Sequence, residues 1–346
     1  MKKTHSGLLT LAGALLCLGA STAATAQNAQ DRAAAATGRV DGNFIRANAA
    51  QKKTPDWPSV GLDYSESRFS RLDQVNTGNV KDLGLVWSYD LESTRGVEID
   101  AATGQKVWEK DTLEGQKGSY TITGAPRVFK GKVIIGNGGA EYGVRGFVTA
   151  YDAKTGEQKW RWFVVPGDPS KPFEDASMAK AAKTWDPSGK YWEAGGGGTA
   201  WDSFAFDPEL NLMYVGTGNG SPWSHKARSP KGGDNLYLGS VVALDPDTGK
   251  YKWHYQETPG DNWDYTSTQS MILADMKVGG KPRKVLLHAP KNGFFFVIDR
   301  TNGKFISAKN FTEVNWATGY DKNGRPIGIA SARDRTKPND AIPGPF

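Results

Sequence analysis

The sequence predicts an all-β protein built as a β-propeller, and three observations support this fold class. The chain has 42 glycines and 12 tryptophans, and no long stretch shows a sustained helical period. A short pattern recurs along the chain at a spacing that suits one propeller blade.

Acidic and basic residues are interleaved, with a formal net charge of +6, so we expect no nucleic-acid partner and no membrane partner.

The recurring pattern has the form strand, Asp-x-x-Thr-Gly turn, strand. Residues 150–160 and 243–253 match almost position for position, and residues 99–108 form a third copy. A fourth copy, residues 297–305, has lost the tryptophan. In each turn, glycine supplies a positive φ angle and aspartate can accept hydrogen bonds from the turn's backbone. Tryptophan ends the second strand as an apolar wedge between neighbouring sheets.

The spacing of the motif aspartates indicates four-stranded blades. Asp100 and Asp152 are 52 residues apart, and Asp245 and Asp299 are 54 apart. The 93 residues between Asp152 and Asp245 leave room for a further blade without a clear motif, and residues 206–214 are interpreted as a hairpin of that blade. A sandwich with similar hairpins by chance is the less favoured alternative.

The same spacing predicts that a segment is missing inside the chain. A motif tryptophan is followed by the next motif aspartate after 44 to 46 residues in intact repeats, but Asp100 follows Trp87 after only 13. Three strands cannot form in that interval, so at least about 30 residues are expected to be absent after Glu98. The propeller is also expected to be incomplete at its end, where residues 343–346 have loop-like composition.

Residues 1–26 are predicted to be a secretory signal peptide. Two lysines precede a short apolar run at residues 8–18, and small residues at 24–26 offer a cleavage point. A buried N-terminal helix is the alternative. Cleavage after Ala26 would leave residues 27–346 as one partial propeller domain in the periplasm, without a membrane span and without cysteine, because Cys17 is the only cysteine.

Four loops between the repeats together offer carboxylate, amide and backbone carbonyl oxygen atoms, at residues 136–146, 195–202, 216–223 and 261–265. None fits a phosphate cradle, no cysteine–histidine cluster could hold zinc, and no C-x-x-C-H could attach a haem. Their oxygen atoms are ligands that a hard cation such as calcium prefers, and ordinary polar loops are the alternative. The densest basic patch, Lys226, Arg228 and Lys231, is interpreted as a solvated loop.

From about Asn43 onward, the chain resembles the PQQ-dependent quinoprotein alcohol dehydrogenases, and most closely their quinohaemoprotein branch. The repeat resembles that family's tryptophan-docking motif, and the four loops resemble its cofactor loops in their order along the chain and in their amino-acid sequence. The resemblance implies an eight-bladed propeller, incomplete here, that holds pyrroloquinoline quinone (PQQ) and calcium near its central axis.

The resemblance also implies roles for particular residues. Glu141, Asn219 and Asp264 match the calcium ligands, and Asp264 also matches the catalytic base. Trp201 matches the indole on which the flat PQQ ring stacks. Six further residues match contacts to PQQ, namely Glu98 beside the gap, Thr123, Gly139, Ala140, Thr199 and Lys291.

These residue types suit the implied chemistry. Calcium can act as a Lewis acid on a quinone carbonyl that accepts a hydride from the alcohol carbon. A carboxylate within reach of the hydroxyl can remove its proton. An indole face offers a rigid platform for a planar cofactor, and Lys291 can meet negative charge that develops on the reduced quinone.

Some features of the family have no counterpart in this sequence. The family carries a disulfide between adjacent cysteines close to PQQ and a cofactor-binding arginine nearby, and both belong to the blades expected between Glu98 and Ile99. A haem c is expected only in a full-length quinohaemoprotein form.

The implied function is periplasmic oxidation of primary alcohols to aldehydes, with a small alcohol as substrate and a periplasmic electron acceptor. The chain as it stands is expected not to oxidise ethanol. A non-catalytic periplasmic propeller scaffold and a broken gene product that folds poorly are the alternatives.

Overall fold

Antiparallel sheets dominate the computed structural model, which describes residues 27–64, 67–90, 96–99, 101–113 and 115–333. The predicted signal peptide and residues 343–346 lie outside these ranges. Three sheets have four strands each and are named blades A, B and C. A two-stranded sheet that precedes them is named the broken blade. The all-β propeller class is confirmed.

The strands follow one another as meanders. The broken blade consists of β1 (Gly96–Ile99) and β2 (Lys106–Lys110), and blade A of β3 (Arg127–Phe129), β4 (Lys132–Gly136), β5 (Phe147–Asp152) and β6 (Gln158–Phe163). Next come β7 (Gly196–Gly197), β8 (Phe204–Asp207), β9 (Leu212–Gly216), β10 (Gly220–Ser221), β11 (Ser240–Leu244) and β12 (Tyr251–Gln256). Blade B contains β8, β9, β11 and β12, while β7 pairs with β10. Blade C consists of β13 (Met271–Val278), β14 (Lys281–His288), β15 (Phe294–Asp299) and β16 (Phe305–Asn310), and β17 (Ala317–Tyr320) then pairs with β18 (Pro326–Gly328).

The helices are short. They are α1 (27–38), α2 (Gly42–Ala50), α3 (Ala176–Ala182), α4 (His225–Arg228) and α5 (Ala330–Arg333). Single 3-10 turns occur at Val80–Asp82, Ala140–Tyr142, Pro187–Gly189 and Tyr191–Ala194. Within the described ranges, no helix has the length and apolar character needed to cross a membrane.

The middle strands of blade B are buried on both faces because they lie between blades A and C. Met213 and Val215 of β9 belong to the apolar cluster shared with blade A, whereas Leu212 and Tyr214 belong to the cluster shared with blade C. Successive side chains of a strand point to opposite faces, so such a strand needs a buried residue at every position. The sequence of β9 accordingly shows no alternation of polar and apolar residues.

The Asp-x-x-Thr-Gly turns have the predicted geometry. In blade A, Asp152 Oδ1 accepts hydrogen bonds from the N–H groups of Lys154 and Thr155 at 3.0 and 3.1 Å. Gly156 in the same turn has a φ of +71°. A side chain at that position would be strained, which explains why glycine recurs there.

Each motif tryptophan lies on the glycine of the next turn. The pairs are Trp87 with Gly104, Trp108 with Gly156, Trp160 with Gly249 and Trp253 with Gly303. The indole N–H groups of the first three donate to the main-chain oxygen of the residue that follows the motif aspartate, at 2.9 to 3.1 Å. A Cβ on Gly249 would lie 2.7 Å from the indole ring, so a larger residue would displace the tryptophan.

The interval between Asp152 and Asp245 contains no further blade, and that expectation was wrong. The hairpin at residues 206–214 joins β8 to β9, and β9 pairs with β11 in blade B. The extra residues form insertions at 164–203 and 217–239, which carry α3 and α4. These insertions bury their own aromatic residues against blades A and B, so spacing alone could not separate them from a sheet.

The broken blade has two strands where blades A to C have four. Among the described residues, β1 pairs only with β2. Residues 83–90 form no strand, and Leu85 and Val86 are 85% and 87% exposed. The interruption predicted from the repeat spacing therefore coincides with an incomplete sheet.

The N-terminal helices pack on the face of the sheets that carries the motif turns. Gly42 at the start of α2 lies directly against Pro208, and Lys154 in the blade A turn pairs with Asp31 at 2.7 Å. The loops that leave the other ends of the strands form the opposite face. The four loops at residues 136–146, 195–202, 216–223 and 261–265 belong to that opposite face.

Candidate functional site

The four loops at residues 136–146, 195–202, 216–223 and 261–265 form one continuous surface. Gly146 N–H donates to Gly197 O at 2.8 Å, and Gly198 N–H donates to Asn219 O at 2.7 Å. The segment that follows the fourth loop is joined to the third loop, since Ser267 N–H donates to Thr217 O at 2.9 Å. Loops that the sequence separates by many residues are therefore neighbours in the fold.

Glycine is needed where these loops cross. A Cβ at Gly136 would overlap the carbonyl of Ala200. Gly197 has a φ of +77°, and a Cβ there would lie 2.5 Å from Asn219 O. The absence of side chains lets the backbones pack at hydrogen-bonding distance.

Two of the three predicted calcium ligands are in direct contact. Asn219 Nδ2 donates a hydrogen bond to Glu141 Oε1 at 3.0 Å. Asn219 is buried and Glu141 is exposed, so the carboxylate stands at the rim with the amide beneath it. Glu141 lies in the 3-10 turn Ala140–Tyr142, which begins after Gly139 with a φ of +100°.

The third predicted ligand pairs with the predicted quinone-contacting lysine. Lys291 Nζ donates to Asp264 Oδ2 at 2.7 Å, and both side chains are partly exposed. Among the described residues, no hydrogen bond or ion pair joins this pair to Glu141 and Asn219. The structure thus places the four residues as two contacting pairs on adjacent loops.

The remaining predicted residues lie around these pairs. Thr199 is buried, and its carbonyl accepts a hydrogen bond from Gly218 N–H at 3.0 Å. Trp201 is half-buried, and its carbonyl lies against Gly124, next to the exposed Thr123. Gly139 and Ala140 are buried beside Glu141. Glu98 lies in β1 opposite Trp108, and its side chain falls outside the described part of the structure.

The predicted metal ligands are a mixed set of oxygen donors. Within the described ranges, no three Asp, Glu, His or Cys side chains are grouped so that they could hold a metal ion. The predicted set has two carboxylates and one amide, so it is not an acidic cluster of that kind. Carboxylate and amide oxygens suit calcium, while the half-buried indole of Trp201 and the ammonium of Lys291 suit a planar, anionic quinone.

An arginine clamp supports the Glu141 loop from outside. Arg145 donates to both carboxylate oxygens of Glu174, at 2.6 and 3.1 Å, and its guanidinium lies 3.9 Å from the centre of the Phe163 ring. Burial raises the pKa of the Glu174 carboxyl, but the hydrogen bonds from Arg145 outweigh this effect and hold that pKa below its usual value. The clamp joins the loop to the insertion at 164–203.

Two buried charged residues lie behind this surface. Arg228, interpreted as part of a solvated loop, is fully buried at 0% exposure, which corrects that interpretation. Asp261 is equally buried. Burial lowers the pKa of the Arg228 guanidinium to about 10 and raises the pKa of the Asp261 carboxyl to about 6. No charge pattern in the sequence distinguishes Arg228 from its neighbour Lys226, because only the packing of α4 turns one of them inward.

Comparisons with known proteins agree with this architecture. The family model "PQQ: Glucose/ethanol/alcohol dehydrogenase, beta-propeller domain" matches residues 106–315. A quinohemoprotein alcohol dehydrogenase of Comamonas testosteroni is 64% identical over 402 residues, which cover 95% of this chain and 56% of that protein. Quinohemoprotein alcohol dehydrogenase ADH IIB of Pseudomonas putida is 45% identical over 404 residues, with 96% and 56% covered. This chain spans about half the length of these curated relatives.

Solved structures give the same result. The crystal structure of the quinohemoprotein alcohol dehydrogenase from Comamonas testosteroni has a TM-score of 0.77 and 65% identity, and the match covers 92% of this chain and 58% of that one. A europium-containing methanol dehydrogenase has a TM-score of 0.65 and 31% identity, with 83% and 63% covered.

The matched region is longer in the relatives than in this chain. The 402 aligned positions of the Comamonas testosteroni relative correspond to 95% of 346 residues, or about 329, which leaves about 73 positions without a counterpart here. The same arithmetic for the Pseudomonas putida relative, with 404 positions and 96%, leaves about 72. An internal gap larger than the predicted minimum of about 30 residues fits these numbers. The chain therefore belongs to the PQQ glucose/ethanol/alcohol dehydrogenase β-propeller family.

Proposed function

We propose that this chain carries the PQQ- and calcium-binding loops of a periplasmic enzyme that oxidises primary alcohols to aldehydes. The observation that carries the proposal is the convergence of two contacting pairs, Glu141 with Asn219 and Asp264 with Lys291, on one loop surface. The names of the relatives, quinohemoprotein alcohol dehydrogenases, support PQQ as cofactor and an alcohol as substrate.

Calcium would be held by Glu141, Asn219 and Asp264. All three offer oxygen, the ligand atom of hard cations, and their loops are joined by backbone hydrogen bonds. The europium-containing methanol dehydrogenase shares this propeller, which supports a hard cation in the same loops and makes Eu³⁺ a suitable probe.

The residues of this chain would bind and orient PQQ, and they would accept a proton from the substrate. When bound, calcium-polarised PQQ supplies the acceptor for the hydride of the alcohol carbon. Asp264 would take the hydroxyl proton on a carboxylate oxygen as the hydride leaves. Lys291, which already meets Asp264 Oδ2 at 2.7 Å, would supply positive charge near the reacting atoms. Trp201 would offer an indole face to one side of the flat ring.

The chain as it stands is proposed to bind PQQ without turning over ethanol. About 73 internal positions of the Comamonas testosteroni relative have no counterpart here, and the residues at those positions would help to enclose the cofactor. In this chain, water would then reach the site from that side, whereas a site enclosed by those residues would exclude water.

A titration of PQQ into the purified chain tests the shared site. With calcium present, PQQ should bind and quench tryptophan fluorescence, and with a calcium chelator it should not. Glu141→Gln should weaken binding in calcium, whereas Glu193→Gln, an exposed glutamate that pairs with Lys190 at 3.3 Å, should leave it unchanged. Equal PQQ binding with and without calcium would contradict the proposal.

A further inference from the structure

A buried arginine links two of the loops proposed to hold calcium. Arg228 ends α4, and its Nη1 donates to the main-chain oxygens of Pro222 and Trp223 at 2.8 and 3.0 Å, at the end of the loop that carries Asn219. Its Nη2 donates to the main-chain oxygen of Asp261, at the start of the next loop. One planar guanidinium with fixed donor directions therefore bonds both loops at once.

The backbone beside Asn219 passes directly over this guanidinium. A Cβ at Gly220 in β10 would overlap the Arg228 side chain, so the strand lies in van der Waals contact with it. A smaller or differently shaped cation would leave β10 without this support. Asn219 would then shift with the strand.

Asp261 shapes the loop that carries Asp264. Its Oδ1 accepts hydrogen bonds from the N–H groups of Trp263 and Tyr265 at 3.1 and 3.2 Å, the residues on either side of Asp264. Asp264 has a φ of +62°, a left-handed conformation that the surrounding bonds have to maintain.

The charge of Asp261 is also opposite to that of Arg228. Its Oδ2 is buried and has no hydrogen-bond partner among the described residues. The two opposite charges attract each other without a direct ion pair, and the hydrogen bonds of Arg228 go to backbone oxygens and to Asn235 Oδ1 at 2.9 Å. A buried charge without a counter-charge would be costly, so the two residues depend on each other.

We propose that Arg228 and Asp261 are positioning residues that hold the Asn219 and Asp264 loops at the separation that calcium binding requires. The proposal rests on the proposed function, because it assumes that Asn219 and Asp264 share one cation. Neither positioning residue touches the cation. They act through the backbone of the two loops, as partners behind metal ligands do in other proteins.

A titration with Eu³⁺, followed by its luminescence and reversed by Ca²⁺, tests the proposal on the purified chain. Arg228→Lys and Asp261→Ala should each weaken Eu³⁺ binding by about tenfold or more, the usual effect of removing a residue behind a metal ligand. Asp261→Asn keeps the Oδ1 acceptor and should recover part of the affinity. Thermal unfolding without metal is measured for each variant.

Arg300→Lys is the matched control. Arg300 is also buried, at 6% exposure, and donates to Asp207 Oδ2 and to Ala274 O, both at 2.6 Å, but it lies in a motif turn on the opposite face. Its replacement should lower the midpoint of unfolding without changing the affinity for Eu³⁺.

The outcomes separate the two proposals. If the wild-type chain binds Eu³⁺ and Arg228→Lys binds it equally well, the positioning role is wrong and the proposed function stands. If the wild-type chain binds neither Eu³⁺ nor Ca²⁺, the proposed function fails and the positioning role fails with it. If Arg228→Lys does not fold, Asp261→Asn beside Asp261→Ala decides, since equal loss in both would contradict positioning through Oδ1.

Discussion

The two faces of blade A meet different neighbours. One face packs on blade B, where Val148, Ala150, Trp160 and Trp162 join a continuous apolar cluster. The other face meets the broken blade and leaves a cavity of about 320 Å³, lined mainly by apolar side chains such as Ile99, Trp108 and Val133. Blade A has the same four strands on both sides, so the difference comes from the neighbour.

Tryptophan docking is preserved on the turn of the broken blade as well as on that of blade B, whereas close packing is not. Trp87 and Trp160 make the same contact with a turn glycine and the same indole hydrogen bond. Trp160 is 7% exposed, but Trp87 is 37% exposed. Docking is a local contact between one side chain and one turn, while filling the space between sheets needs all four strands. A repeat can therefore keep its motif contacts without a closely packed core.

The largest expected effect tests whether Asp264, on a loop of the intact blades, is the catalytic base. In a chimera that joins residues 99–333 of this chain to the remaining segments of the Comamonas testosteroni relative, Asp264→Asn should lower turnover by roughly 10²–10⁴-fold, because a general base is lost. PQQ should remain bound, which absorbance of the purified protein would check. Turnover within a few-fold of the parent chimera would remove Asp264 from the role of base. Asp275→Asn, on the exposed edge of blade C, is the control.

The two docked tryptophans should differ in what they contribute to stability. Trp160→Ala should lower the free energy of unfolding by about 3–5 kcal/mol, since it opens a cavity in a complete interface. Trp87→Ala should cost at most about 1–2 kcal/mol, because more of that indole is already in water. Urea unfolding curves of both variants measure the difference. Equal losses would show that the broken blade is as well packed as the intact ones.

A buried histidine gives the stability of blade B a pH dependence. Burial and, secondarily, the charge of Lys180 lower the pKa of His254 to about 4 from 6.5. Between pH 6.5 and 4 the unfolded chain binds more protons at this site, so the free energy of unfolding rises with pH across that window. His254→Gln should flatten this rise by on the order of 1–2 kcal/mol in urea unfolding at pH 4.5 and 7. Trp87→Ala should keep the wild-type slope, and an unchanged slope in His254→Gln would refute the assignment.

The smallest effect on stability is expected in the exposed segment before the broken blade. Leu85→Lys should change the free energy of unfolding by less than about 0.5 kcal/mol, because Leu85 is 85% exposed. It should nevertheless slow aggregation, since an exposed apolar segment beside an incomplete sheet is a template for association. Light scattering on concentrated samples measures this. Leu244→Lys in buried β11 should instead unfold the protein, and faster aggregation of Leu85→Lys would contradict the prediction.

Much of the candidate site could be identified only from the family resemblance and the tertiary contacts together. The resemblance selected Glu141 and Asn219, but only the fold brought them to 3.0 Å across 78 positions of sequence. The roles of these residues, and the place of Glu98, remain predictions. Arg228 could not be found in advance, because a buried arginine and an exposed one look alike until their surroundings are known.

The sequence by itself determined the features that depend on neighbouring residues. Asp152, Gly156 and Trp160 specify a turn, a positive φ angle and an apolar wedge, and each of these acts within a few residues. The shortened interval after Trp87 likewise revealed the broken blade, because a strand needs a minimum length of chain. Only the tertiary structure decided that the 93 residues before Asp245 hold insertions, and that Arg228 lies inside. Strand pairing and burial are set by contacts between residues far apart in the chain, and a spacing counts residues without saying what they touch.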